Sequence, residues 1–159
     1  MQRFHKILYV NEPAGEKQAL LRAIRLAEAN NAQLTIVTIS EELPRSMDNL
    51  SKSFLKIQQE QTRTMLQDAP TNGLSIETRH LIGTPFLEII KEVMDEGNDL
   101  VIKPAEGHKR LHSMLFGTTD LHLIRKCPCP VWIIKPHQGK KYSRIIAAVD
   151  PDPGQKANA

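Results

Sequence analysis

Long apolar runs are missing from this 159-residue chain. Its longest are a handful of residues, as in Val131–Ile134, far short of the ~20 that a membrane-spanning helix needs. A membrane partner is therefore not expected. Met1–Lys6 is polar and leads straight into a strand-like run, so it lacks the apolar core of a secretory signal. Cysteine is scarce too. Cys127 and Cys129 are the only two, and a pair two residues apart makes no disulfide framework, which points to a reducing, cytoplasmic setting. Aromatic residues amount to only 4%, and the 21 Lys and Arg barely exceed the 18 Asp and Glu. The basic residues are scattered and no aromatic stacking platforms stand between them, so nucleic acid is not an expected partner. What is present is a 40% hydrophobic fraction with a net charge of +3. A chain of this size forms one ordinary globular domain and buries roughly 70% of its extended-chain surface.

Hydrophobic periodicity alternates between strand and helix along the chain. Lys6–Val10 reads as a buried strand stopped by Asn11-Glu12-Pro13, and Ala19, Leu20, Ala23, Ile24, Leu26 and Ala27 recur at helical spacing. Leu34–Ile39 reads as a second buried strand. After a polar loop, Leu50, Phe54, Ile57, Gln61 and Met65 mark one face of a second helix. Leu74–Leu81 is a third strand, and Pro85 opens a helix that turns Phe86, Ile89, Ile90 and Val93 inward and stops at Gly97. Asp99–Lys103 is the fourth strand, ended by Pro104, and a long polar loop follows it. A helix over Thr118–Lys126 and a strand over Val131–Lys135 complete the pattern. Such alternation predicts an α/β domain: a five-stranded parallel sheet with helices on both faces, joined by right-handed crossovers.

The tail resembles the start. Lys140–Asp150 repeats the pattern of Phe4–Asn11: a basic residue, an apolar run, Asp or Asn, then a turn with Pro. Residues 1–139 are thus expected to form one domain. Residues 140–159 are expected to be the first strand of a second, truncated module or a disordered tail.

In an open parallel sheet the ligand crevice lies beyond the carboxyl ends of the strands. Asn11, Glu12, Thr38–Ser40 and the segment from Pro104 onward fall there. Gly117-Thr118-Thr119 opens a helix, whose free amides and positive dipole end suit a phosphate. The alternative is a plain cap, with Gly117 easing the turn.

From Phe4 to Pro136 the chain resembles the universal stress protein family. The resemblance is strongest in Asn98–Lys103, and then from Phe116-Gly117-Thr118-Thr119 through Arg125-Lys126-Cys127-Pro128-Cys129-Pro130-Val131. It implies strand order 3-2-1-4-5, an adenine-nucleotide alpha-hydrolase-like fold, and ATP with Mg as the ligand. ATP-binding members carry Gly, two residues, Gly, nine residues, then Gly with Ser or Thr. Gly107 and Gly117-Thr118 keep that separation, but Pro104 stands where the first glycine belongs. Carried across, the nucleotide-binding residues are Asn11 and Thr38 for the nucleoside, with Gly107, Gly117, Thr118 and Thr119 cradling phosphates beside Pro104. Proline removes an amide donor and fixes φ. Glu106 adds a charge that, at ~6 Å and an effective dielectric near 20, repels a phosphate by about 2–3 kcal/mol. Lys109 and Arg110 offset it. Weak nucleotide binding is the expectation.

The tail and the run from Leu123 to Trp132 narrow the resemblance to tandem, E-type members. That implies a second stress-protein domain as partner, or a homodimer through the fifth strand.

Three other constellations have competing readings. His108 and His112, four apart, suit metal ligands on a helix, but the segment reads as a solvated basic loop. Cys127 and Cys129 with His122 could hold zinc, though the flanking prolines favour buried thiols at a helix end. Glu41-Glu42 reads as exposed charge. No nucleophile elbow or complete phosphate-binding loop is present, so neither a catalytic residue nor a metal site is expected. The leading expectation is a ligand-sensing stress-response module. Its competitors are a slow ATPase or phosphotransferase, and a degenerate, purely structural half of a tandem protein or binder of another ligand.

Overall fold

A computed structural model describes residues 3–12, 17–42, 48–67, 69, 71, 73–105 and 118–135. Its elements are β1 (Lys6–Asn11), α1 (Lys17–Asn30), β2 (Gln33–Ser40), α2 (Asp48–Gln67), β3 (Ile76–Ile82), α3 (Pro85–Glu96), β4 (Leu100–Pro104), α4 (Thr118–Lys126) and β5 (Val131–Ile134). The strands form one sheet in the order β3-β2-β1-β4-β5, and all pairs are parallel. The expected architecture and strand order are therefore both present.

Two cores sandwich the sheet. Along β1, residues alternate between them: Ile7 and Tyr9 join α1 residues Leu20, Ala23 and Ile24 on one face. Leu8 and Val10 meet Ile89 and Val93 of α3 and Leu123 of α4 on the other. A strand buried on both faces favours apolar residues, which explains Ile7–Val10 in β1, Ile36 and Val37 in β2 and Leu100–Ile102 in β4. Polar side chains lock the amino ends of the strands. Asn30, closing α1, accepts the amides of Arg3 and Phe4 at 3.0 and 3.3 Å. Asp99, just before β4, accepts those of His5 and Lys6 at 2.7 and 3.2 Å. Pro85 starts α3 and Gly97 ends it, with a left-handed φ of 69° and its N–H bonded to the Val93 carbonyl.

Two details depart from the sequence reading. Pro104 lies inside β4, paired with Ile134 at the edge of the β4–β5 ladder, instead of just beyond the strand. In α2 the inward face is not the apolar one: Phe54 and Ile57 are 48% and 55% exposed, whereas Gln58 and Thr62 are buried. The reason is the surface beneath. The carboxyl halves of β1 and β2 present Asn11 and Ser40 to α2, and these bond Thr62 and Gln58. Apolar contact resumes only with Met65 and Leu66. Replacing Ile24 by Ala should therefore cost about 2–5 kcal/mol in urea unfolding, whereas Ile57→Ala should stay within about 0.5 kcal/mol. Similar losses from both variants would contradict this orientation of α2.

Candidate functional site

β1 and β4 are neighbours whose chains leave in opposite directions: α1 covers one face of the sheet, α3 and α4 the other. The carboxyl ends of such a pair form a crevice. At its base lies Lys103, only 1% exposed within an apolar strand. Its ammonium is ion-paired with Asp120 in the first turn of α4, at 2.8 Å, and with Glu12 just after β1. It also donates to the Pro104 carbonyl at 3.1 Å. Burial works against the Lys103 charge, but Glu12 and Asp120 outweigh it and hold the ammonium above the ordinary lysine value. Lys103 thus stays protonated through the neutral range. The neighbouring Tyr9 hydroxyl is pushed well above its ordinary pKa, first by burial and then by the Glu12 charge. One buried cation thus joins the end of β1, the end of β4 and the start of α4.

Asn11 and Thr38 are register partners on adjacent strands, both buried. The Asn11 amide is turned toward α2, where it donates to Thr62 Oγ1 at 2.9 Å. Thr62 donates onward to the Gln58 carbonyl at 2.9 Å. Thr118 is exposed and Thr119 half-buried at the start of α4, in the same first turn as Asp120. The structure therefore groups Asn11 with Thr38, and Pro104 with the α4 start through Lys103. Gly107 and Gly117 lie outside the described residues, as do Glu106, His108, Lys109, Arg110 and His112, and the chain from 136 onward.

The sequence reading missed Lys103 and Asp120. The signal was there, in a lysine set inside a fully buried five-residue strand. Such a charge needs a buried partner, and the acidic residue in the first turn of α4 supplies it.

Cys127 and Cys129 lie with sulfurs 3.7 Å apart at the end of α4. Hydrogen bonding from Cys129 holds the Cys127 thiol below its ordinary pKa, while the same contact pushes Cys129 up. His122 is stacked on Phe86, with ring centroids 4.4 Å apart. Among the described residues no three His, Cys, Asp or Glu gather as a metal site. Arg79 is held on the α3 side of the sheet by Glu77, Glu92 and Glu96 at 2.7, 3.0 and 2.6 Å. On the α2 side, His80 of β3 has both ring nitrogens buried, and burial lowers its pKa.

Residues 3–135 match the sequence profile of the Universal stress protein family. The chain is 31% identical to Universal stress protein E of Escherichia coli K12, over 94% of its own length and 51% of the relative's. It is 30% identical to the Universal stress protein E homolog of Haemophilus influenzae, over 93% and 53%. It thus spans about half the length of these curated relatives. Among solved structures, the fold matches universal stress protein UspA from Lactobacillus plantarum, with a TM-score of 0.67 at 20% identity, covering 83% of this chain and 98% of that one. It also matches a universal stress protein in complex with cAMP, with a TM-score of 0.59 at 19% identity, covering 83% and 97%.

Removing one partner of a buried ion pair leaves the other uncompensated. Lys103→Met should cost about 3–5 kcal/mol in urea unfolding, and adding Asp120→Asn should recover part of the loss. An undiminished stability in the single variant would contradict the burial of this charge. His80 supplies a pH dependence. Its folded pKa lies below the ordinary value of 6.5, so the unfolded chain binds more protons there. Stability should fall as pH drops from about 6.5 through the folded pKa. His80→Phe should flatten that slope in melts taken across pH 5–8.

Proposed function

The chain belongs to the universal stress protein family, and on that footing we propose that it is a cytoplasmic, ligand-sensing module of the stress response that holds a nucleotide weakly. Binding is regulatory here, without turnover. The Lys103 cluster is the observation that carries the reading. A phosphate entering the crevice between β1 and β4 meets a lysine already ion-paired with Glu12 and Asp120. Glu12 is itself only a quarter exposed in its side chain, so its charge is partly shielded from water and repels an incoming anion. Pro104, with no N–H, supplies one donor fewer beside it. The amides at the start of α4 remain as an anion-binding feature. A neighbour of the same fold is described in complex with cAMP, which supports a nucleotide as the ligand class. Asn11 and Thr38 would face its nucleoside, and Thr118 and Thr119, together with Gly107 and Gly117, its phosphates. ATP with Mg is the form proposed.

The E-type relatives are about twice as long as this chain. A second domain of the same kind is therefore the proposed partner, with a second copy of this chain as its substitute. β5 is the surface offered: it is the sheet edge, and Val131, Trp132 and Ile133 are only half-buried.

Calorimetry with Mg-ATP tests the nucleotide reading. The native protein should bind weakly without releasing ADP. Glu12→Gln should tighten binding by about tenfold, equivalent to 1.4 kcal/mol, and Pro104→Gly should also tighten it. Stoichiometric ADP release, or tight native binding insensitive to both changes, would overturn the reading. Sedimentation tests the partner. The isolated chain should dimerise and Ile133→Lys should make it monomeric, whereas a native monomer at every concentration would exclude β5 as the interface.

A further inference from the structure

Beneath α2, along β2 and β3, lies a cavity of about 710 Å³, within the ~300–1,000 Å³ typical of small-molecule sites. It meets the crevice between β1 and β4 at Thr38 and leads away from it beneath α2. It runs from Thr38 and His80 near the carboxyl ends of the strands to Leu74 and Ile76 near the amino end of β3. Its walls divide by chemistry. Ile36, Leu66 and Ile76 give it an apolar floor, and Thr38, Gln58 and His80 supply the polar groups.

Among the described residues, two of these side chains keep polar atoms without a partner. Gln58 is 4% exposed. Its Oε1 accepts from Ser40 Oγ at 3.4 Å, but its Nε2 has no hydrogen-bond partner among the described residues. Both ring nitrogens of His80 are buried and equally without partners among the described residues. Each unpaired buried polar atom costs stability, and native proteins leave few of them. Three around one cavity require a common explanation.

The chemistry of the occupant follows from the donors and acceptors. Gln58 Nε2 needs an acceptor. Burial keeps the His80 imidazole neutral, so it offers one donor and one acceptor nitrogen. Charge is not called for. Arg63 at the mouth is paired with Glu60 at 3.8 Å and both are exposed, while the Arg79 guanidinium is spent on three glutamates of the opposite face. We propose that this cavity is a second ligand site, which takes a small uncharged molecule carrying a carbonyl beside an N–H on a flat apolar body. The carbonyl accepts from Gln58, the N–H donates to His80, and the apolar body lies on Ile36, Leu66 and Ile76.

Benzamide is the probe, with benzoate as the charged control, both titrated into the 159-residue chain and followed by amide NMR. Benzamide should cause saturable shifts centred on Gln58 and His80, and benzoate should bind at least tenfold more weakly. Gln58→Leu and His80→Phe should each weaken benzamide at least tenfold with Tm unchanged or raised, because each removes an unpaired polar group. Glu12→Gln should leave benzamide affinity unchanged, which separates this site from the crevice. Absence of saturation, as for a cavity that holds water alone, would overturn the proposal. So would equal binding of benzoate, or shifts centred on Glu12, Lys103 and Asp120 instead. Where a variant fails to fold, contacts on the native protein decide: NOEs from the benzamide ring to the Ile36, Leu66 and Ile76 methyls support the site, and their absence refutes it.

Discussion

The buried charge of Lys103 sets the terms for the rest of the crevice. An ammonium in an apolar strand is tolerable only with anions and acceptors around it, and this one takes Asp120 from α4, Glu12 from the end of β1 and the carbonyl of Pro104. The arrangement joins two strands and a helix at the point where the sheet's crossovers diverge. A crevice built from backbone amides alone would leave its positive potential to a ligand. Here part of that potential is neutralised internally before any ligand arrives.

The same economy appears, inverted, on the α2 side. There the sheet ends present Asn11, Thr38 and Ser40, and the helix answers with Gln58 and Thr62 while turning Phe54 and Ile57 outward. Asn11 is satisfied by this exchange. Among the described residues, Gln58 is satisfied on one side only and His80 not at all. The two faces of the sheet thus differ in kind: the Lys103 cluster closes its charges on itself, and the cavity under α2 leaves hydrogen-bonding capacity open.

Much of the fold was legible because buried parallel strands and amphipathic helices leave simple periodic marks. Leu34–Ile39 could be little else than a buried strand, and Pro85 with Gly97 bracketed α3 closely. Strand order is not a periodic property and came through family resemblance. The orientation of α2 was illegible for a physical reason. Periodicity reports where apolar residues lie on a helix, but the face that turns inward depends on the surface it meets, and that surface is assembled from β1 and β2. The Lys103 cluster joins residues far apart in the chain. Only its anomaly, a lysine within Leu100–Pro104, is local enough to read.

The two sites also differ in what they would do to a bound molecule. An anion in the crevice must contend with Glu12, so its occupancy depends on how the ion cluster is partitioned between protein and ligand. Asn11 connects this crevice to α2, since its backbone ends β1 beside Glu12 while its amide holds Thr62.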